Sequence, residues 1–490
     1  MAKRGRKTLG DHAMSNMERQ RRKDDKACSI DAELNHAFGS IDWDRRRKAE
    51  TSLVNWVATY CVPLLLNDAP PELGNTILEQ MEHTITAHEK FMVCMGRGSG
   101  KTSYVECATL FAIATGRQKF VVIVSANQRA AINILKDIWR AVNEKDTAFA
   151  QDYPAITAPF HIANGSFRRR QLYRGISTDL EKTSSELVFA RLKDENGNEL
   201  PTSGSVISCR GVTGGIRGLK RGNLRPSYAI LDDIMTAADA RSPDAVEKLM
   251  EAINKDIIPL SGKERLSVLQ TATPICPDDL VERIKQDKSW RTTIFPAVTS
   301  FPKNKALWKE YFTMWDNENV TQVGHKESLD FYREHRTEMD EGSSVFNPTR
   351  YSEKDGHISA IQKLLELQHT LGDSVFMSEY QMSPQQLKFA LPITPTLVAS
   401  RISTLKELEI PEEGVQFICA ATDVNASKYL TTVIMAFMNN QTSVVVWHKF
   451  RKCGIPVNIP EQDYYQRVYN LLAEHGRELK KLADEHHFKI

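Results

Sequence analysis

The sequence predicts an α/β protein, a parallel sheet with helices on both faces, followed by a second and smaller α/β block. Three observations predict it. From Phe91 to about residue 300, short apolar runs rich in β-branched residues alternate with helical spacing, the pattern of strands buried on both sides. The glycine-rich run Met95-Gly96-Arg97-Gly98-Ser99-Gly100-Lys101-Thr102 stands between the first of these strands and a helix. A new apolar block opens near Val415 and leads into a long helical stretch.

Taken in order, residues 1–45 are expected to form a polar, mobile tail, since the first stretch is dense in charge and poor in apolar residues. Residues 46–300 form the sheet domain. Helical spacing at Leu53, Trp56, Val57 and Tyr60, and at Ile77, Met81 and Ile85, leads into the strand Phe91–Met95. Further strands are expected at Phe120–Val124, Tyr228–Leu231 and Leu266–Leu269, with a hairpin-like segment at 187–209 around Glu195-Asn196-Gly197-Asn198. Residues 301–405 read as a mostly helical connector, with Leu391-Pro392-Ile393-Thr394-Pro395 as a boundary. The block 406–490 has strands at 415–424, 431–437 and 442–448 and a helix at 461–483, and Phe488-Lys489-Ile490 resembles the start of another strand.

Composition excludes several classes. With 41% hydrophobic and 26% charged residues over 490 positions, the chain has enough apolar content for well-buried cores. No apolar run approaches the ~20 residues of a membrane span, and the basic N-terminus lacks an apolar segment, so a cytoplasmic location is expected. The eight cysteines are scattered without a CxxC pair, which argues against a structural zinc site or a disulfide framework. A net charge of +2 decides nothing about nucleic acid, because phosphate contacts need only local positive charge.

The glycine-rich run has the strand-to-helix context of a phosphate-binding P-loop. Glycines let backbone N–H groups turn toward phosphates, and the helix N-terminus favours their charge. Gly96, Gly98, Ser99 and Gly100 would cradle ATP, Lys101 would reach the β/γ-phosphates, and Thr102 would ligate Mg²⁺. Met95 stands where the pattern G-x-x-x-x-G-K-[ST] has its first glycine. Arg97 lies on the loop itself, within reach of the γ-phosphate.

The run Tyr228–Leu231 ends in Asp232-Asp233. Strand C-termini of a parallel sheet face the ligand crevice, so Asp232 would hold Mg²⁺ and Asp233 would activate the attacking water. The long stretch between Lys101 and Asp232 leaves room for an extra strand between the two motifs, expected at Phe120–Val124. P-loop ATPases of that RecA/ASCE-like kind commonly use a second acidic residue as base, and Asp233 is one methylene shorter than the usual Glu. Thr271-Ala272-Thr273 ends the next strand with small hydroxyl residues, a segment able to sense the γ-phosphate and report hydrolysis.

Together these residues resemble the large terminase subunit of tailed bacteriophages. Its signature G-G-R-G-S-G-K-S/T includes a loop arginine, here Arg97. Gly214-Gly215-Ile216-Arg217-Gly218 with Arg225-Pro226 and Leu231-Asp232-Asp233, then Thr271–Pro274 with Asp278-Asp279-Leu280, resemble its later motifs. Phe331-Tyr332-Arg333, Met339-Asp340-Glu341-Gly342, Phe376 and Glu379-Tyr380-Gln381 resemble its connector. The likeness spans roughly residues 46–430. It implies an ATP-driven double-stranded DNA translocase acting as a homo-oligomeric ring, with a portal protein and a small terminase subunit as partners. It also implies the infected host's cytoplasm and the procapsid portal as places of action, and an RNase H-like nuclease using Mg²⁺ or Mn²⁺. Gln80 stands for either the family's adenine-recognising glutamine or an ordinary helix-surface residue.

Asp423, on the strand from Ile418, matches the family's first nuclease metal ligand. Two-metal cleavage needs several converging carboxylates, and the remaining ones are expected beyond Ile490, so the chain is expected to be truncated within an incomplete RNase H-like domain and unable to cut DNA. Phe167-Arg168-Arg169-Arg170-Gln171 and Lys220-Arg221-Gly222 are basic runs that serve either DNA phosphates or solvent, and Arg217 either phosphate or an acidic neighbour. Two other readings remain open: a P-loop helicase, and a non-catalytic ATP-binding assembly protein with a decayed site.

Overall fold

Alternation in the first strand fixes the main layers. Phe91, Val93 and Met95 point into one apolar cluster with Trp56, Leu78 and Phe111. Met92 and Cys94 point into another with Val122, Leu231 and Ile253. A strand buried on both faces in this way belongs at the centre of a sheet. The computed structural model describes residues 28–489 other than 63, 166–170, 323, 385–397, 403, 426–428, 440–441 and 454–460. It divides into two units, Met1–Lys388 and Phe389–Ile490.

In the first unit the elements that build the site are β1 (Lys90–Met95), α1 (Lys101–Ala114), β2 (Phe120–Ser125), α2 (Gln128–Asn143), β3 (Glu181–Lys182), β4 (Glu186–Val188), β5 (Val206–Gly211), β6 (Tyr228–Asp232), β7 (Ser267–Ala272) and β8 (Arg291–Phe295). Their spatial order is β8-β1-β7-β6-β2-β5-β4-β3. The six strands from β8 to β5 are parallel, and β4 and β3 add an antiparallel edge. The hairpin-like segment supplies β4 and β5, and the loop between them is turned at Gly197 (φ 83°) by Asp194, which accepts from the Asn196 and Asn198 N–H groups.

The strand expected at Phe120–Val124 is present as β2. β2 lies beyond β6, and the strand between the loop-bearing β1 and the acidic β6 is β7. Parallel strands need crossovers, so sequence order is not spatial order.

The tail expected over 1–45 is folded in its described part. Helices run over Asp31–Gly39 and Trp43–Ala49, and Ile30 and Leu34 are fully buried. Within that described part the Arg45 charge is met inside the fold. The buried Asp152 carboxylate accepts from Arg45 Nε (2.7 Å), Arg45 Nη2 (2.8 Å), Tyr60 OH (2.7 Å) and Asp42 N–H (3.0 Å). Residues 1–27 lie outside the described residues.

The connector is helical over Lys305–Thr321, Lys326–Met339, Ala360–Leu371 and Asp373–Glu379, around Trp308, Tyr311, Tyr332 and Phe376. It belongs to the first unit, which extends to Lys388. The proline boundary at 391–395 lies outside the described residues.

The second unit is an antiparallel meander of β9 (Val415–Asn425), β10 (Tyr429–Met438) and β11 (Ser443–Lys452), followed by α3 (Glu461–Glu485). Leu479 and Ala483 of α3 pack on Ile434, Ala436 and Val446. Phe488 begins no strand. Its N–H bonds the Ala483 carbonyl (3.0 Å) and its ring joins this core, a helix-closing contact made possible by the positive φ of His487 (57°). Among the described residues no helix is long and apolar enough to cross a membrane.

Removing the Asp152 carboxylate strands Arg45 and Tyr60 against the core. Asp152→Ala is expected to lower stability by about 3 kcal/mol, the lower end for a broken buried pair because Arg45 keeps access to water. Urea unfolding reads the loss, and hydrogen exchange should show residues 31–49 losing protection first.

Candidate active site

The crevice at the C-terminal ends of β1, β7 and β6 is where a parallel sheet presents ligand-facing groups. The glycine-rich loop turns there through Gly98 (φ 76°) and Gly100 (φ 93°), backbone states that favour glycine. Gly96 serves a different need: a Cβ there would stand 3.0 Å from the Tyr380 carbonyl oxygen. Met95 needs no glycine freedom. It ends β1 with its side chain in the core, and its carbonyl accepts from Lys101 Nζ (3.1 Å). Among the described residues the buried Ser99 hydroxyl has no hydrogen-bond partner, an unmet demand that a phosphate oxygen would satisfy.

Lys101 also donates to Thr273 Oγ1 (2.8 Å), tying the loop to the end of β7. Parallel register sets Thr271 beside Asp232, and its hydroxyl donates to Asp232 Oδ1 (2.6 Å). Thr102 donates to Asp232 Oδ2 (3.3 Å) from the first turn of α1. Burial pushes the Asp232 carboxyl above its ordinary range, opposed by the Thr271 hydrogen bond, Lys101 and Thr102. Thr102 and Asp232 together offer hard oxygen ligands of the kind Mg²⁺ takes.

Asp233 follows in a left-handed conformation (φ 42°), with its N–H on the Thr271 carbonyl (3.1 Å). The surrounding protein displaces water from the carboxyl and, with Asp232 and Glu379 nearby, pushes it up to about 6 against the pull of Lys101 and Arg97. Its side chain still opens to the crevice, and water there limits that rise.

The connector reaches back to this site. Arg97 N–H donates to the Glu379 carbonyl (2.7 Å), and the Arg97 guanidinium stands 3.5 Å from the Glu379 carboxylate. Ser378 donates to the carbonyls of Pro274 (3.0 Å) and Ile275 (3.2 Å), just past the Thr271-Ala272-Thr273 segment. The chain at 378–379 thus holds both the loop and the end of β7. In the sequence Glu379 stands only as part of a connector pattern, and Ser378 carries no mark at all, because its role runs through carbonyl groups that leave no side-chain signal.

Beside the loop lies a cavity of about 250 Å³, walled by Phe295, Phe346 and Tyr380 and bordered by Asn347 and Arg350. Gln80 does not line it. Its side-chain oxygen accepts from Thr293 Oγ1 on β8 (2.9 Å). Of the other singled-out residues, Arg217 donates to Asp256 (2.8 Å), and Arg221 pairs with Glu186 (2.9 Å) and Glu181, so both guanidinium groups are neutralised by the protein. Arg168–Arg170 lie outside the described residues. Asp423 is exposed on β9 of the second unit, opposite Thr431. Among the described residues no group of three or more His, Cys, Asp and Glu side chains is gathered as a metal site.

No protein-family model and no curated protein matches the chain. It is similar to several solved structures. The large terminase ATPase domain of Thermus phage P74-26 is 12% identical, with 65% of this chain and 95% of that one covered and a TM-score of 0.33. The large terminase of another thermophilic bacteriophage, in complex with ADP, is 9% identical, covering 84% of this chain and 75% of that one, at 0.28. The Phi-28 gp11 DNA packaging motor is 11% identical, covering 54% and 68%, at 0.22.

Thr271→Val keeps the side-chain shape and removes the hydrogen bond to a buried carboxylate. At pH 7 it should cost about 1–3 kcal/mol in urea unfolding. The cost should shrink when Asp232 is already Asn, which isolates the pairwise interaction.

Proposed function

We propose that this chain is an ATP-hydrolysing motor that translocates double-stranded DNA in the manner of the large terminases it resembles. The observation that carries the ATPase part is the convergence of Lys101, Thr102, Asp232, Asp233 and Thr273 at adjoining strand ends, around a glycine loop with an unpaired Ser99 hydroxyl. The DNA part rests on the run of motifs from Arg97 through Asp232-Asp233 and Thr271–Pro274 to Glu379.

In the proposed cycle the loop amides and Lys101 bind the polyphosphate, with Lys101 trading its contacts to Met95 and Thr273 for phosphate oxygens. Asp233 accepts a proton from the water that attacks the γ-phosphorus, the bond to the β-phosphate oxygen breaks, and ADP and phosphate leave. Arg97 offsets charge developing on the γ-phosphate. Thr102 and Asp232 would hold Mg²⁺, which would supply charge neutralisation on the phosphates. The segment 271–273 passes the change onward through Ser378. A homo-oligomeric ring, a portal protein and a small subunit belong to the same proposal, as does a nuclease role for Asp423. The meander of β9–β11 followed by α3 supports an RNase H-like start for the second unit.

The test is steady-state ATP hydrolysis with and without double-stranded DNA. Wild type should turn over ATP faster with DNA, and Lys101→Ala and Asp233→Asn should each lose about a hundredfold or more. ATP binding without turnover under both conditions would instead mark a non-catalytic site, and unwinding of a forked duplex would mark a helicase.

A base must be ionised to act. With Asp233 pushed up to about 6, turnover in wild type should be present at pH 7 and above and fall as pH drops through about 6. A profile flat between pH 5 and 7 would remove Asp233 from that role.

A further inference from the structure

We propose that Arg350, on the turn between the helices Lys326–Met339 and Ala360–Leu371, is a phosphate-binding residue of the nucleotide site, acting on the part of the ligand that ATP and ADP share. The inference rests on the nucleotide reading above and extends it to a residue outside every motif of the sequence.

Four observations converge on Arg350. Its guanidinium leans over the phosphate-binding loop, with Nη2 3.6 Å from where a Cβ on Gly98 would stand, van der Waals distance from the loop. The side chain is exposed and makes no ion pair or hydrogen bond among the described residues. By contrast, Arg217 and Arg221 are both held by carboxylates. An arginine left without an acidic partner beside a loop built for anions is a ready-made fork for phosphate oxygens.

The third observation is the cavity. Arg350 borders the same space of about 250 Å³ as Gly96–Ser99, opposite walls formed by Phe295, Phe346 and Tyr380. Phe295 and Phe346 meet edge to face, with ring centroids 5.9 Å apart. Apolar aromatic walls with a few polar groups at the mouth suit a flat heterocycle and a sugar. Asn347 Oδ1 is occupied by the N–H and hydroxyl of Thr349, which fixes the turn that carries Arg350.

The fourth is direction. Lys101 and Thr273 meet at the ends of β1 and β7, and Asp233 follows β6, on the side where the γ-phosphate would lie. Arg350 stands on the cavity side of the loop. It therefore contacts the α- or β-phosphate, and its contribution is common to ATP and ADP.

The test is isothermal titration of wild type, Arg350→Gln and Arg350→Lys with ADP and with ATP, alongside KM and kcat. Arg350→Gln should weaken ADP and ATP binding alike, each by about tenfold, with the loss falling on KM more than on kcat. Arg350→Lys, which keeps the charge but not the fork, should fall between. An unchanged melting temperature would show that the exposed variant is folded. ADP affinity equal to wild type in Arg350→Gln, or a loss confined to kcat, would overturn the proposal while leaving the ATPase reading standing. Failure of wild type itself to bind either nucleotide would bring down both.

Discussion

The buried carboxylate of Asp232 is the constraint from which the site takes its form. A carboxylate taken out of water must be hydrogen-bonded or it destabilises the fold, and Asp232 meets this demand with side chains from two different elements. Thr271 comes from β7 by parallel register, Thr102 from the first turn of α1. A slip of β7 by one residue would send Thr271 to the other face of the sheet and leave Asp232 short of its strongest partner. The same contacts that satisfy a buried charge therefore hold the sheet register, and the helix after the loop cannot drift without breaking one of them.

Much of this is legible in the chain. The strands are visible because both of their faces are buried and their sequences are continuously apolar, and the loop because glycines between a strand and a helix have few other uses. Asp232 is legible as a charge at the end of an apolar run. What escapes depends on groups that composition does not display. Met95 acts through its carbonyl, so the missing glycine has no structural consequence at that position. The helices at 31–49 look like a solvated tail because Asp152, which neutralises Arg45, lies over a hundred residues away in sequence. The order of strands escapes for a related reason: β7 enters between β1 and β6 from the far side of the sequence.

Thr271 has a second function that its spacing does not reveal. Its hydroxyl holds Asp232 while its carbonyl holds the N–H of Asp233, so one residue sets both carboxylates. Asp233 takes its place in a left-handed backbone (φ 42°), a state that aspartate, like asparagine, adopts more readily than most residues. The turn at Asp233 redirects the chain at Cα, and the side chain projects into the crevice from a different angle than a continuing strand would give.

The coupling follows from the same short segment. Lys101 bonds Thr273, and Ser378 bonds the two carbonyls that follow, at Pro274 and Ile275. Glu379, the next residue, receives the Arg97 N–H on the loop. Loop, β7 end and connector therefore form a closed circuit of hydrogen bonds. In the proposed cycle, a phosphate that drew Lys101 away from Thr273 would open that circuit at one point, and Ser378 would carry the change to the connector helices. A binding event can shift such a circuit only by the difference in its contacts between the two states. In the proposed cycle that difference would be local and nameable: the Lys101 contacts to Met95 and Thr273, exchanged for contacts to phosphate oxygens.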